Sequence, residues 1–293
     1  MTINPDKLYN WPFKEIEQVY TNRDAIVYAL GLGFNSDPIN EGQLDFTFEE
    51  RDFKTVPTMA AVLCSPGFWL RDPETGIIWQ KVLHGEQAIE LHRPLPPSAS
   101  LKARTRITDI IDKGEGKGAL IFTERTLVDV ATNEALATLK STTFARGDGG
   151  FEETSRPQPK PHVLPDRKPD EVCDLPTLPQ AALIYRLSGD LNPLHADPKV
   201  AAEAGFDRPI LHGLCTLGVS GHAILKTYCG YDPGKFKSLK LRFSSPVFPG
   251  ETIRTEMWRD GDQISFRARA LERDIIVLNN GLSIVDVGLN GQQ

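Results

Sequence analysis

The chain has no block of lysines and arginines, no C-x-x-C pair, and no apolar run near the roughly 18 residues that a membrane span needs. Each absence excludes a class of function. A net charge of −6 and a pI near 5.6, with no basic cluster to follow a phosphate backbone, argue against nucleic acid or an anionic membrane as partner. Cysteine is scarce and scattered: Cys64, Cys173, Cys215 and Cys229 have no metal-binding or redox spacing, so they are expected to be reduced thiols packed in the core. The N-terminal MTINPDKLYNWPFKE lacks the cationic start and apolar stretch of a signal peptide, and the C-terminal GLNGQQ is not an address of the Ser-Lys-Leu type. A cytoplasmic protein is the expectation.

What is present is an ordinary globular composition, 40% hydrophobic and 25% charged over 293 residues, enough for two domains. Gly147 to Pro179 carries seven prolines and little apolar periodicity, which predicts a semi-extended connection. The expected division is residues 1–150, a proline-rich linker over 151–178, and residues 179–293.

A weak repeat relates the halves. At an offset of 152, RPLPPSASLKAR (Arg93 to Arg104) lines up with SPVFPGETIRTE (Ser245 to Glu256), each a proline-punctuated turn leading into alternating apolar residues. The same offset places VPTMAAVLC (Val56 to Cys64) on RPILHGLCT (Arg208 to Thr216), both of which can begin a buried helix. YALGLG (Tyr28 to Gly33) falls on YRLSGD (Tyr185 to Asp190) at an offset of 157. Each half then reads as a leading helical region, one long apolar helix and three or four strands, an α+β pattern. In the second half these are Ala181 to Leu187, Gly213 to Tyr228, and strands near Ser238 to Ser244, Thr252 to Arg259, Gln263 to Glu272 and Ile275 to Val287.

Only one copy is armed. RLSGDLNPLHAD, Arg186 to Asp197, holds Asp190, Asn192 and His195 beside Gly189 and Pro193, while Asp190 meets Gly33 in the repeat, His212 meets Ala60 and Gly213 meets Ala61. Residues needed only for folding should tend to persist in both copies, so the asymmetry favours chemistry in the second half. Asp190 and His195 are five apart, which is not a facing interval on a helix, and the residue before proline is pushed to extended geometry. A tight loop is therefore expected. Asp197-Pro198 reads as an N-cap and first turn of a short helix. Asp190 could equally serve only its own turn, by accepting nearby backbone N–H groups.

Gly213 opens an apolar helix, where its unpaired N–H and the helix dipole suit a developing oxyanion. Close packing is the other reason for a glycine there, and His212 is read as a satisfied core histidine. A base, an acid and an oxyanion donor without a nucleophile describe proton transfer beside a carbonyl, with water as second reactant. Ser188 and Cys215 lack any nucleophile context, and Asp190, His195 and His212 lack a standard zinc spacing, so no metal is expected.

YRLSGDLNPLHADPKVAAEAGFDRPILHGLCTLG, Tyr185 to Gly218, resembles the signature of the hydratase 2, or MaoC-like, (R)-specific enoyl-CoA hydratases. VLHGEQ (Val82 to Gln87), DKGEG (Asp112 to Gly116) and RFSSPVFPGE (Arg242 to Glu251) resemble further landmarks of the two-domain form, the hydratase region of peroxisomal multifunctional enzyme type 2. The resemblance implies a double hot-dog fold, two antiparallel sheets each wrapped around a long helix, with a non-catalytic first copy that accommodates the acyl chain. It implies reversible syn addition of water to a trans-2-enoyl-CoA, giving (R)-3-hydroxyacyl-CoA, without a cofactor. Asp190 and His195 are then the catalytic dyad, Asn192 helps hold the water, and the Gly213 N–H polarises the thioester carbonyl. His84, Gly85, Lys113 and Phe243, with Leu191, Pro193 and Leu194 of the loop, are the implied substrate contacts, Lys113 being suited to a CoA phosphate. Which of Asp190 and His195 is base stays open, with Asp190 favoured. A homodimer is the family expectation. The competing readings are a hot-dog acyl-CoA thioesterase and a non-catalytic acyl-CoA binding protein.

Overall fold

The computed structural model describes residues 3–152 and 156–286. Ten antiparallel strands form one continuous sheet. The first half contributes β1 (Glu15–Tyr20), β2 (Val82–Leu91), β3 (Ala99–Asp112), β4 (Ala119–Asp129) and β5 (Ala135–Ala145). The second contributes β6 (Glu171–Pro176), β7 (Phe236–Phe243), β8 (Thr252–Asp260), β9 (Gln263–Ala270) and β10 (Ile275–Val285). The spatial order is β1-β3-β4-β5-β2-β7-β10-β9-β8-β6. Each half thus has the same internal order, and the two join edge to edge where β2 pairs with β7, with Glu86 opposite Arg242 and Ile89 opposite Leu239. Joining them removes two exposed edges, which would otherwise offer unpaired backbone groups to other chains.

The helices are α1 (Pro5–Tyr9), α2 (Asn22–Gly31), α3 (Glu41–Leu44), α4 (Ala181–Tyr185), α5 (Pro198–Glu203) and α6 (Gly213–Cys229). In α6 every residue from Cys215 to Leu225 is buried, as expected of a helix that is apolar all round. It packs closely enough on the first half that a Cβ on Gly221 would stand 2.5 Å from Thr58 Cγ2, so only glycine fits there. One core cluster accordingly joins Tyr28, Leu32 and Leu139 of the first half to Leu217, Ile224 and Phe266 of the second.

The expected strands and the long helix of the second half are present, and the proline-led turns of the repeat deliver β3 and β8 as matching strands. Residue 287 of the expected last strand lies outside the described residues. Three expectations need correction. The first half has no long buried helix: Pro57–Val62 makes a short 3-10 turn, after which Cys64 turns to φ 48°. Pro66 lies two residues on and forbids continuation, whereas nothing interrupts Gly213–Cys229. Each half has five strands, not three or four, because an edge strand precedes α2 in the first and α4 in the second. The edge strand of the second half, β6, occupies the end of the stretch read as linker, where it pairs with β8. Its EVCDLP sequence is too short and too polar to signal a strand alone; the partner supplies its hydrogen bonds.

Candidate active site

The site begins at the loop after α4. Arg186–Ser188 tightens into a 3-10 turn, Gly189 takes φ 117°, a region costly for a residue with a Cβ, and the chain reverses. Asn192 is driven to ψ 121° by the following proline, as expected, and Pro193–His195 forms a second 3-10 turn. Three side chains staple the segment: Asp190 Oδ1 accepts from Asn192 N at 3.1 Å, Asn192 Oδ1 from Leu194 N at 3.1 Å, and Asp197 Oδ1 from Lys199 N at 2.8 Å. Asp197 is therefore the cap of α5. Asp190 does build its own turn, yet the same loop brings it beside His195.

The donor atoms of Asp190, His195 and His212 lie within 4.8 Å of one another. His195 is 8% exposed and His212 1%. His195 Nδ1 lies 2.8 Å from the Ile210 carbonyl, and His212 Nε2 lies 3.1 Å from the Asp190 carbonyl. A carbonyl only accepts, so these two nitrogens carry the protons; His195 Nε2 and His212 Nδ1 are left with lone pairs. Burial pushes both imidazoles towards the neutral form, His212 to about 4, with the adjoining His195 reinforcing the shift and Asp190 opposing it. The two rings stack with centroids 3.8 Å apart and planes at 28°. That stacking bears on a metal. Lone pairs lie in the ring planes, so near-parallel rings direct them side by side instead of onto one ion at about 2.0–2.1 Å. The cluster has the spacing of a cation site but not its geometry.

Gly213 is the first residue of α6 and is exposed; among the described residues no acceptor engages its N–H. Phe243, at the end of β7, packs over it: a Cβ on Gly213 would meet the Phe243 ring at 3.2 Å. Phe243 also contacts His84, ring centroids 4.7 Å apart, and His84 is close enough to Asp190 to feel its charge. A β-bulge at Gly85 shifts the β2–β5 register between His84, opposite Thr143, and Glu86, opposite Thr142. A contiguous path thus runs from Asp190 through His195, His212, Gly213 and Phe243 to His84.

The other expected residues lie around this path. Leu191 is 61% exposed at the loop tip; Asn192 and Pro193 are exposed and Leu194 half-buried. Asn192 Oδ1 already accepts from Leu194 N, which leaves its amide NH2 and the second oxygen lone pair to meet a ligand. Lys113 stands apart, its ammonium 4.4 Å over the Phe144 ring. Its loop is anchored by Asp112, whose buried carboxylate accepts from the N–H groups of Gly114, Gly150, Phe151 and Glu152 at 2.5–2.9 Å. Two cavities, of about 480 and 260 Å³, lie elsewhere, on the sheet around the β2–β7 seam, and neither is lined by Asp190, His195 or Gly213.

In the first half, Ala60 and Ala61 are buried where His212 and Gly213 have their counterparts. Two features escape a reading of the sequence. His212 is only half satisfied, its Nδ1 being buried without a partner, as are Arg186 Nε and Ser188 Oγ in the turn before Asp190. Asp112 gives no signal beyond opening a glycine-rich turn, because the backbone groups it binds lie up to 40 residues away.

Residues 161–280 match the family described as MaoC like domain, and residues 19–147 that described as MFE-2 hydratase 2 N-terminal domain. The chain is 39% identical over 297 residues to a protein of Arabidopsis thaliana named enoyl-CoA hydratase 2, peroxisomal, covering 94% of this chain and 93% of the relative. A crystal structure of a MaoC-like dehydratase from Phytophthora capsici superposes with a TM-score of 0.84 at 38% identity, covering 97% of this chain and 99% of the other. A Mycobacterium tuberculosis protein described as having a double hotdog fold matches with a TM-score of 0.55 over 93% of this chain and 95% of the other; at 14% identity it speaks for the fold alone.

Proposed function

The chain belongs to the MaoC-like enoyl-CoA hydratase 2 family, and from that membership we propose that it hydrates trans-2-enoyl-CoA reversibly to (R)-3-hydroxyacyl-CoA in β-oxidation-type acyl or steroid side-chain metabolism. The observation that carries the reading is the free Gly213 N–H beside Asp190 and a neutral His195. This set can activate water and receive charge on a carbonyl oxygen, but it offers no nucleophile.

The substrate thioester carbonyl accepts from Gly213 N–H, with the α6 dipole behind it. His195 Nε2, the nitrogen left free by the Ile210 contact, takes a proton from water as the oxygen adds to C3. The electron pair moves through C2 onto the thioester oxygen, where Gly213 meets it. The proton then returns from His195 to C2 on the same face, which gives syn addition and regenerates neutral imidazole. Asp190 and the Asn192 amide orient the water, and the Asp190 charge stabilises the transient imidazolium. This gives the proton-accepting role to His195, where the sequence favoured Asp190.

Residues 179–293 carry the chemistry, and residues 1–150 surround the acyl chain. His84, Gly85, Phe243, Leu191, Pro193 and Leu194 line the entry, with Lys113 towards the CoA phosphates. The reaction uses no cofactor or metal. The reading extends to a homodimer in the cytoplasm without membrane or nucleic-acid partners; among the described residues no helix is long and apolar enough to cross a membrane. The Arabidopsis relative is named as peroxisomal, so cell fractionation against a peroxisomal marker decides the compartment.

Mixing with trans-2-enoyl-CoA substrates of graded chain length should bleach the conjugated enoyl-thioester absorbance and give a product of (R) configuration. No bleaching by folded protein at any chain length would sink the reading. Release of free CoA thiol would favour a thioesterase, and binding without turnover an acyl-CoA binding protein.

A further inference from the structure

His212 joins Asp190, His195 and Gly213, and at 1% exposure it is shielded from a substrate. Its main chain caps α6 and leads into Gly213. Its Nε2–H donates to the Asp190 carbonyl, 22 residues earlier in the chain. One face of its ring lies on His195 at 3.8 Å, and Tyr185 packs against it with centroids 5.1 Å apart. A ring held between two others and tied by one nitrogen has a single orientation. A core histidine kept only for packing has no reason to leave Nδ1 buried and unpaired, since an aromatic hydrocarbon would fill the space without that cost.

We propose that His212 is a positioning residue for the hydration reaction: it clamps the Asp190 loop against the His195 ring and supplies a neutral π face to the imidazolium that forms there.

The clamp fixes the Asp190 backbone at its carbonyl, so the carboxylate holds its place relative to His195 through the turn. The stack fixes the His195 ring plane, and so the direction of Nε2. When His195 takes the proton from water, its charge sits over an uncharged aromatic ring, a favourable cation–π arrangement. The same contact opposes charging both rings at once, since two cations would then lie face to face. The groups facing His212 are His195, Asp190, Arg186 and Tyr185. Asp190 alone among them favours a charged His212; burial, His195 and Arg186 oppose it.

The inference rests on the hydratase reading, and the test separates the two. Wild-type protein that hydrates no enoyl-CoA defeats that reading before any His212 variant is made. Given an active wild type, His212→Phe keeps the stacked ring and removes the donor, while His212→Gln keeps an N–H able to reach the Asp190 carbonyl and removes the ring. The expected result is a decrease of about 10- to 100-fold in kcat for at least one variant, as misplacement by about 1 Å can cost some 10². KM for the enoyl-CoA should stay within about threefold, because His212 makes no substrate contact and a positioning role acts on the transition state alone. Both variants folded with wild-type kcat, or a loss confined to KM, overturns the inference. Nitrogen NMR of wild-type protein with labelled histidine gives a check that no misfolded variant can spoil. His212 should carry its proton on Nε2 and His195 on Nδ1 at neutral pH; the opposite tautomer on either ring overturns the clamp.

Discussion

The Phe243 ring lies so close over Gly213 that a Cβ on the glycine would stand 3.2 and 3.3 Å from two of its carbons. Gly213 is thereby both the start of α6 and the floor beneath Phe243, and no larger residue fits without moving one of them. Gly213→Ala is expected to tilt the N–H or displace Phe243, lowering turnover by about 10², as loss of an oxyanion donor does. Steady-state kinetics and a thermal melt check it. Trimming the ring in Gly213→Ala/Phe243→Leu should recover part of the lost turnover.

Asp190→Asn and His195→Gln are expected to lower turnover by roughly 10² to 10⁴, the range for removing a positioned acid–base group. Each substitution nearly keeps side-chain volume, and the asparagine introduced in place of Asp190 can still accept from Asn192 N through its amide oxygen. Circular dichroism should therefore remain native while turnover is lost. Retained turnover in both would remove these residues from the chemistry.

Stability should fall as pH drops below neutral, and buried histidines account for the sign. Burial depresses His212 to about 4 and His222 to about 3, below the 6.5 of an exposed imidazole. Between 6.5 and these values the unfolded chain binds the protons and the folded chain does not, so acid favours unfolding. The stabilisation is complete above about 6.5 and is lost on the way down, at about 1.4 kcal/mol per pH unit for each group. Urea unfolding at pH 7 and pH 5 measures the slope. In His222→Leu it should shrink by about one proton.

Asp112→Ala is expected to strand four backbone donors, at a cost of about 3 kcal/mol or more. The carboxylate is held below the usual range because those N–H groups outweigh its burial. The turn bearing Lys113 would loosen too, so KM for enoyl-CoA should rise while kcat changes little. Urea melts read the first effect and steady-state kinetics the second.

The sequence was sufficient for the parts of this protein whose causes are local. Asn192 is extended because Pro193 follows it, Asp197 caps α5 because it stands before Pro198, and the asymmetry between Gly213 and Ala61 is visible wherever the halves are aligned. Pro66 carries a signal of the same local kind, and it ends the helix expected after Val56. The family signature from Tyr185 to Gly218 carried the fold class because so long a motif has few other uses.

What depended on distant partners was not legible. The edge strand β6 exists because β8 pairs with it, and the continuous sheet because β2 meets β7, with Glu86 opposite a residue 156 positions later in the chain. His212 reads as a core residue, since nothing beside it in the chain reveals that its ring lies on His195 or that its proton goes to Asp190. The residue types of the candidate site were written in the sequence. Which nitrogen holds each proton was decided by the tertiary structure alone, because it depends on which carbonyl the folded chain brings to each ring.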